Sequence, residues 1–280
     1  MSLRINTNVD SLTAYRNLNG TQSSMSTSIE RLSSGLRINK AADDAAGLAI
    51  SQGLTAQING LGQAVRNAQD GINVVQTADG ALTEVQSILQ RSRQLVVQGA
   101  NDSNDSYAKT NITTELKQLS SELDRIKNTT EFNGKKLLDG SADLFFQVGS
   151  NSKTKQAGNQ IEVSITDDLG GSTLLGAAAS LSGTDTAGQW SNALDDLDTS
   201  LRSVSTLRAN LGAYQNRFQH TINNLSVTQT NLQASNSAIL DTDMAQEMSN
   251  YSRTQILSQA GTSMLKQANQ AAQSVLSLLG

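Results

Sequence analysis

Residues 194–239 read LDDLDTSLRSVSTLRANLGAYQNRFQHTINNLSVTQTNLQASNSAI, with an apolar side chain at every seventh position. These positions are Leu197, Val204, Leu211, Phe218, Leu225, Leu232 and Ile239. A seven-residue apolar repeat is the seam of a coiled coil. The positions three residues earlier are apolar only in part and include Arg208 and Gln215. The stretch therefore predicts one long helix that packs along a neighbouring helix through a mixed seam.

The same repeat occurs twice more in the N-terminal half of the chain. It runs through Val75, Ala78, Leu82, Val85, Leu89, Ser92 and Val96, and then through Ile112, Leu116, Leu119, Leu123 and Ile126. Residues 99–106 between them are turn formers, which favours an antiparallel helix pair. Proline, which breaks helices, is absent from all 280 residues. We expect a mainly α fold of long antiparallel helices in a coiled-coil bundle.

Both ends of the chain carry further apolar heptads. They comprise Met25, Ile29, Leu32 and Leu36 at one end, and Leu257, Met264, Ala268, Ala271, Val275 and Leu278 at the other. The first set stops at Gly35, and we expect the next helix to start near Asn39, with Asp43 and Asp44 close to its first turn. The pattern predicts that the N- and C-terminal segments pair. Residues 1–38 with 240–280 would form a terminal coiled-coil domain, and residues 39–239 a helical bundle domain.

The helical period is lost between about residues 131 and 189. Residues 144–148 and 160–165 alternate like short strands, which predicts a small β-hairpin element. Residues 167–189 are rich in Gly, Ser and Thr, and we expect them to form a surface excursion.

Residues that could carry chemistry are scarce. His220 is the one histidine and there is no cysteine, so a zinc site of the usual ligands is not expected. The pair Gly60 and Gly62 lacks the rest of a phosphate loop, and Asp241 with Asp243 lacks the glycine of a calcium loop. We expect no enzyme activity, no cofactor and no metal.

Charge and hydropathy exclude two classes of partner. The net charge of −4 offers no basic footprint for nucleic acid, and no apolar run approaches the roughly 20 residues of a membrane span. The first residues also lack the apolar segment of a secretory signal peptide. We expect neither nucleic-acid binding nor membrane insertion.

The terminal heptads leave apolar side chains that a two-helix pair cannot cover on both faces. These predicted self-assembly residues are Val9, Leu12, Met25, Ile29, Leu32, Leu257, Met264, Val275 and Leu278. Neighbouring copies can complete such a core, and head-to-tail contacts that do not close give an open helical filament. The alternative is that the terminal helices fold back onto the central bundle.

Five stretches of the chain, taken together, resemble bacterial flagellin. They are residues 32–50 (LSSGLRINKAADDAAGLAI), 67–73 (NAQDGIN), 131–134 (EFNG), 208–217 (RANLGAYQNR) and 255–261 (QILSQAG). The resemblance covers about residues 1–140 and 190–280. Because only about 50 residues separate the two parts, it implies a short family member with little or no outer domain.

The resemblance to flagellin implies a structural, non-enzymatic subunit of the extracellular flagellar filament used in swimming. Its ends would pair as the inner coiled coil of a helical homopolymer. The resemblance further implies unfolded secretion by the flagellar type III export apparatus, a flagellar secretion chaperone on the C-terminal helix, and assembly between hook-junction and filament cap proteins. The terminal segments of the free subunit would be disordered.

Some flagellins are ligands of a vertebrate Toll-like receptor, and residues 90–96 resemble the receptor-binding patch. The matching positions are Gln90, Arg91 and Leu95, with Glu115 on the adjacent helix. Gln94 departs from the acidic residue common in receptor-active relatives. The alternative for Arg91 and Glu115 is a solvated interhelical ion pair.

Two other functions fit the same helical pattern. A hook-filament junction protein would make similar coils but would not extend on itself. A secreted coiled-coil effector or adhesin would be a folded monomer with ordered ends.

Overall fold

The computed structural model describes residues 8–140, 142–150, 158–165 and 169–279, with side-chain surroundings up to residue 270. Its helices are α1 (Val9–Ser34), α2 (Ala45–Gly99), α3 (Ser106–Thr129), α4 (Gly171–Leu175), α5 (Ala187–Leu240) and α6 (Met244–Leu279), with a 3-10 helix at Gly176–Ser180. The strands are β1 (Glu131–Phe132), β2 (Lys135–Lys136), β3 (Ala142–Gln147) and β4 (Gln160–Ile165). The predicted fold class, long helices with a small β element, is confirmed.

Contacts divide the chain into two compact units. Unit 1 comprises Met1–Ala56 and Asn231–Gly280, and unit 2 comprises Gln57–Thr230. Helices α2 and α5 contribute residues to both units. The sequence places a division at 38/39 and 239/240, where turns do separate α1 from α2 and α5 from α6. None of the helices in the described ranges combines the length and apolarity needed to cross a bilayer.

The core of unit 2 follows the predicted seam of α5. Leu197, Val204, Leu211, Phe218 and Leu225 are buried, together with the α2 stripe from Val75 to Val96. The two helices run antiparallel: Gly99 lies against Trp190, and Gly71 against Phe218. Arg208, a polar residue in the α5 seam, forms hydrogen bonds to α2. Its Nε donates to Asp79 Oδ1 at 2.7 Å and its Nη1 to Gln86 Oε1 at 2.6 Å.

Gly71 lets α2 and α5 approach closely. A Cβ at this position would lie 2.6 Å from the Phe218 ring. The same ring meets Phe146 of β3 edge to face, with centroids 5.4 Å apart. Phe218 therefore joins both helices and the sheet in one cluster.

The predicted β element is present as two antiparallel hairpins. Strands β3 and β4 pair from Ala142↔Ile165 to Gln147↔Gln160, which confirms both expected strands within two residues. Strands β1 and β2 form a second, shorter pair. Asn133 and Gly134 connect them with φ of 50° and 77°, the left-handed backbone that a two-residue turn requires.

The expectation of a surface excursion at residues 167–189 is wrong for much of the segment. Leu169, Leu174, Leu175, Ala178 and Leu181 are buried in the core of unit 2. The N–H of Gly171 donates to Asp124 Oδ1 of α3 at 2.8 Å. The apolar residues of this segment pack against α3. The Gly, Ser and Thr around them made the segment look like an exposed loop, so the sequence analysis missed their burial. Residues 167 and 168 lie outside the described ranges.

Helix α2 starts at Ala45, six residues later than expected. Asp43 Oδ2 accepts hydrogen bonds from the N–H groups of Asn39 and Lys40, which stabilises a turn there instead. Asp44 Oδ1 accepts from the N–H of Gly47 at 2.9 Å, as a residue preceding a helix does. The two carboxylates thus precede the helix instead of lying in its first turn.

Candidate self-assembly surface

Helices α1 and α6 form an antiparallel pair within unit 1. Asn8 Nδ2 donates to the carbonyl of Ala268 at 3.0 Å, and a Cβ on Gly261 would lie 3.3 Å from Leu18 Cδ1. At the other end of the pair, Arg31 Nη1 lies 3.8 Å from Glu247 Oε2. The first and last long helices of the chain therefore pair with each other, as the heptads predict.

The seam between the two helices consists mainly of small or uncharged side chains. The least exposed positions recur at heptad spacing: Ser11, Ala14, Leu18, Thr21, Met25, Ser28 and Leu32 on α1, and Glu247, Tyr251, Thr254, Ser258, Gly261, Leu265 and Ala268 on α6. Most of them are only half-buried, and of this set Ser28 and Glu247 are buried. The seam therefore buries little apolar area for helices of this length.

The predicted self-assembly residues fall into three groups. Met25 and Leu32 lie half-buried in the seam of the pair. The others on described side chains, Val9, Leu12, Ile29, Leu257 and Met264, are 47–63% exposed. Val275 and Leu278 lie outside the residues whose side chains are described. The exposed group is the apolar surface of unit 1 that a partner could cover.

Sequence reasoning missed further exposed apolar side chains on the same two helices. Tyr15 on α1 and Met244, Met248 and Ile256 on α6 are 47–65% exposed. Tyr15 continues the seven-residue spacing of Ile29 and Leu36 towards the N-terminus. Met244, Met248 and Ile256 lie outside the heptad series, because the series marks one face of each helix only. An unusually apolar residue on the predicted polar face was the signal that could have identified them.

The receptor-like patch lies on α2 and α3 in unit 2. Arg91 Nε and Nη2 donate to Glu115 Oε1 at 2.9 and 2.8 Å, and about half of each side chain is exposed. Gln90 is exposed beside them. Leu95, however, is 2% exposed and packs in the core of unit 2. Of the four matched residues, Gln90, Arg91 and Glu115 are therefore the ones exposed to a partner.

A second ion pair joins α2 to α5 near this patch. Arg93 Nε donates to Asp198 Oδ1 at 2.7 Å. This hydrogen bond lowers the pKa of the Asp198 carboxyl below its usual range and raises the pKa of Arg93. Asp198, one of three neighbouring aspartates on α5, thus holds two helices together.

The geometry of the described residues does not assemble a reactive centre. His220 is exposed on α5, next to Thr221 and one turn from Arg217. Across the described ranges, no group of three or more His, Cys, Asp or Glu side chains is placed to hold a metal ion. The surface instead carries exposed apolar side chains and exposed ion pairs, which are the kinds of groups that bind other proteins.

Comparison with known proteins gives the family. The profile of the bacterial flagellin N-terminal helical region matches residues 5–143, and that of the C-terminal helical region matches residues 194–279. The flagellin of Halalkalibacterium halodurans is 50% identical over 277 residues, which cover 98% of this chain and 99% of the relative. The flagellin of Bacillus subtilis is 46% identical, with 99% and 100% covered.

A solved structure shares the fold at low sequence identity. A Vibrio parahaemolyticus protein described as a flagellar hook-associated protein superposes with a TM-score of 0.58 and is 16% identical. The match covers 71% of this chain and all of that protein. With both family profiles matched and relatives similar over their whole length, the chain belongs to the bacterial flagellin family, the structural subunits of the extracellular flagellar filament.

Proposed function

We propose that unit 1 drives polymerisation of this filament subunit through the exposed apolar side chains of α1 and α6. The observation that carries the proposal is the exposure of Val9, Leu12, Ile29, Leu257 and Met264 on both helices of the pair. Extensive exposed apolar surface commonly marks a site where a protein partner binds. Copies of the same pair are the partner that a homopolymer supplies.

The charge distribution of the pair also suits contact between identical copies. Residues 17–29 of α1 and 254–265 of α6 contain no Asp, Glu, Lys or Arg. Identical surfaces that carry net charge repel one another, and an uncharged surface avoids this cost. The segments proposed for assembly are residues 1–38 and 240–280, which the turns after α1 and α5 set apart.

Leu257→Asp tests the proposal, because it places a charge on the exposed apolar surface of α6. We expect at least a tenfold loss of elongation from short seeds, since burial of an unpaired carboxylate in a subunit contact is costly. The measurement is filament length by electron microscopy, after the purified subunit is added to seeds. Val97→Asp is the matched control, because Val97 is equally exposed but lies in unit 2.

If the Leu257→Asp variant elongates seeds at the parent rate, the terminal helices do not drive polymerisation. Seeds that stay short with the unmodified chain would instead support the hook-filament junction protein or the secreted effector. All three cases share the long helices, so elongation separates the filament subunit from the two alternatives, and ordered ends in the free chain would mark the effector.

The same exposed surface is the basis for the proposed partners during export. Ile256, Leu257 and Met264 of α6 are uncovered in the single subunit. We infer that a flagellar secretion chaperone covers this helix before the type III export apparatus secretes the chain. Hook-junction and filament cap proteins then meet the same surface at the two ends of the polymer.

We also propose that Gln90, Arg91 and Glu115 form a contact surface for a vertebrate Toll-like receptor. The exposure of these three residues on adjacent helices supports this proposal. Leu95 is buried in the core of unit 2, so we do not expect it to contact the receptor. Arg91→Ala should lower receptor signalling at least about tenfold, as expected for loss of an interface arginine. Its pair with Glu115 is exposed and contributes about 0–1 kcal/mol, so the subunit should stay folded.

The readout for Arg91→Ala is receptor-dependent reporter activity in cultured cells, alongside circular dichroism. Arg125→Ala is the control, because Arg125 belongs to an equally exposed ion pair with Glu122 on α3. Signalling by the Arg91 variant at the level of the Arg125 variant would refute the assignment.

A further inference from the structure

The segment after α1 forms an antiparallel bridge with the segment between α5 and α6. Leu36 pairs with Asp241, and the N–H of Arg37 donates to the carbonyl of Leu240 at 2.6 Å. All four residues belong to unit 1. We call residues 35–37 and 240–242 the clasp, because they join two segments that are far apart in the chain.

The clasp satisfies backbone groups at the end of α5. Carbonyls in the last turn of a helix lack partners within the helix. Those of Ile239 and Leu240 accept from Arg37, the first from Nη2 at 2.7 Å and the second from the backbone N–H. The Arg37 charge also lies where the helix dipole favours a cation. Arg37 therefore caps α5, although it is 202 positions away from Ile239 in the sequence.

The clasp also joins the end of α1 to the start of α6. Gly35 turns the chain at the end of α1 with a φ of 74°, the left-handed backbone that glycine adopts without strain. Its carbonyl accepts from the N–H of Thr242 at 2.9 Å. The next residue, Asp243, caps α6, since its Oδ1 accepts from the N–H groups of Ala245 and Gln246. Three helix ends therefore meet at the clasp.

The far end of the α1–α6 pair is held by side chains instead. Asn8 Nδ2 donates to the carbonyl of Ala268 at 3.0 Å, and Ser11 Oγ donates to Asn269 Oδ1 at 2.9 Å. Among the described residues of α1, α6 and the adjoining connectors, backbone-to-backbone hydrogen bonds between the N- and C-terminal segments occur only at the clasp. Most of the seam between the clasp and the far end is half-buried.

Closing the clasp orders less free chain than closing the far end. Helices α2 and α5 remain in contact within unit 1, where Asn236 Nδ2 donates to Thr55 Oγ1 at 3.4 Å. The clasp directly follows α5, and residues 38–44 separate it from α2. The far end is separated from the same helices by most of α1 and α6. Because the entropy of closure grows with the length of free chain, the clasp is the part of the pair that can close first.

We propose that the clasp is the nucleus of the α1–α6 pair: it closes first, and the two helices then pair outward from it as the subunit joins the filament end. The inference rests on the proposed role of unit 1 in assembly. A closed clasp starts both helices side by side, so each further turn needs only local ordering, as in helix growth after nucleation. The contact of Arg31 with Glu247, 3.8 Å apart, follows directly after the clasp.

Two engineered disulfides distinguish a nucleus from a contact that forms late, because the chain contains no cysteine. Leu36→Cys with Asp241→Cys locks the clasp. These residues lie between the two backbone hydrogen bonds of the bridge, and such pairs have Cα atoms about 4.5 Å apart, which is within the range of disulfides. Ser11→Cys with Asn269→Cys locks the far end, where the native side chains are hydrogen-bonded.

Each full-length variant is its own matched control, because its oxidised and reduced forms are compared. The measurements are the rate at which the purified subunit elongates seeds and the rate at which its filaments shorten on mild heating, both by electron microscopy. A cross-link between groups that have met in the transition state speeds addition, whereas a cross-link between groups that meet later only slows loss.

The oxidised clasp variant should elongate seeds at least about tenfold faster than its reduced form and shorten at a rate within about twofold of it. The oxidised far-end variant should elongate at its reduced rate and shorten at least about tenfold more slowly. The far-end cross-link closes the longer loop of free chain, so tethering alone would favour it. Equal acceleration by both cross-links, or no acceleration by the clasp cross-link, would overturn the proposal.

Arg37→Met tests the clasp without a cross-link. It removes the hydrogen bond from Nη2 to Ile239 and keeps the backbone N–H. Elongation should slow at least about tenfold while filaments shorten at the parent rate, because a hydrogen bond of a charged group is lost from the nucleus. Asn8→Ala at the far end should have the reverse effect, and Arg202→Met, an exposed arginine of unit 2, should change neither rate. Normal elongation with faster shortening of the Arg37 variant would refute nucleation.

Hydrogen exchange in the free subunit separates failure of this proposal from failure of the assembly role. Oxidation of the clasp variant should protect peptides of α6 in order of their nearness to the clasp, with residues 244–251 protected most. This result requires no filament. A parent chain that does not elongate seeds would refute the assembly role alone, whereas protection that does not follow this order would refute nucleation.

Discussion

Asp43 holds the turn between α1 and α2 through its side chain. Its Oδ2 accepts from the N–H of Lys40 at 2.9 Å and from that of Asn39 at 3.0 Å. These two donors, Lys40 first, hold the pKa of the Asp43 carboxyl below its usual range. Lys40 in turn bonds to Glu30, which raises the pKa of Lys40. The turn therefore depends on an ionised carboxylate.

The turn should loosen in acid. Since the pKa of Asp43 is lower in the folded chain than in the unfolded one, its stabilisation is complete above the unfolded pKa. It is lost as the pH falls through the folded pKa. Amide exchange at Asn39 and Lys40, corrected for intrinsic rates, should accelerate in that window. Asp43→Asn keeps an acceptor oxygen and should remove the pH dependence; an unchanged acid response in this variant would show that another group is responsible.

The receptor-like patch shows the limit of inference at single residues. Arg91 and Glu115 could be placed on adjacent helices from the heptads and the loop between them, and they do meet. The burial of Leu95 could not be inferred in this way, because it depends on how α5 and its neighbours cover α2. A residue-by-residue match to a family shows which side chain occupies a position, but it does not show whether that side chain is exposed.

At the scale of helices, close approach is controlled by glycine. Gly71 of α2 faces the Phe218 ring of α5, whereas Gly80 of the same helix has open space where a Cβ would lie. Both glycines lower helix stability by the same backbone entropy, but Gly71 is packed against a ring and Gly80 faces open space. They therefore separate the contribution of packing from that of helix propensity.

Alanine at these two positions should have opposite effects. Gly71→Ala should lower the free energy of unfolding by about 1–3 kcal/mol, because the new methyl group overpacks the cluster around Phe218. Gly80→Ala should raise it by about 0.5–1 kcal/mol, because it removes the entropy cost of a helical glycine. Urea unfolding followed by circular dichroism measures both. Equal effects of the two substitutions would contradict the packing argument.

Long helices were predictable from periodicity, and irregular segments were not. The strand pair at residues 142–165 alternates clearly enough to be recognised. The segment from Leu169 to Leu181 was misjudged because its few apolar residues stand among Gly, Ser and Thr without a helical or strand period. Their burial arises from the groove beside α3, a feature formed by residues distant in the chain.

At the scale of the whole molecule, the two units differ in how much they bury. Within the described residues, α1 buries only Ser28, whereas α3 of unit 2 buries Ile112, Thr113, Leu116, Leu123 and Ile126. A helix with so little burial opens readily when it lacks a partner. The free subunit should therefore have one stable unit and one that assembly stabilises.

Hydrogen exchange should reveal this difference. In the free subunit, peptides from α1 and α6 should exchange about a hundredfold faster than peptides from residues 197–218 of α5, because their opening exposes little apolar area. In filaments the same terminal peptides should become protected. Exchange measured by mass spectrometry before and after polymerisation tests both statements, and strong protection of α1 in the free subunit would contradict the first.

The heptads, with the turn residues between them, were enough to predict the long helices, their antiparallel pairing and the pairing of the N- and C-terminal segments, because periodicity places apolar residues on one face of a helix. Five short sequence motifs carried the family resemblance. Only the folded chain showed that Ile29, Leu257 and Met264 lie outside the α1–α6 seam, that Leu95 is buried and that Arg31 meets Glu247. Periodicity identifies a face but not the neighbour that covers it, and that neighbour depends on the register between helices far apart in the chain.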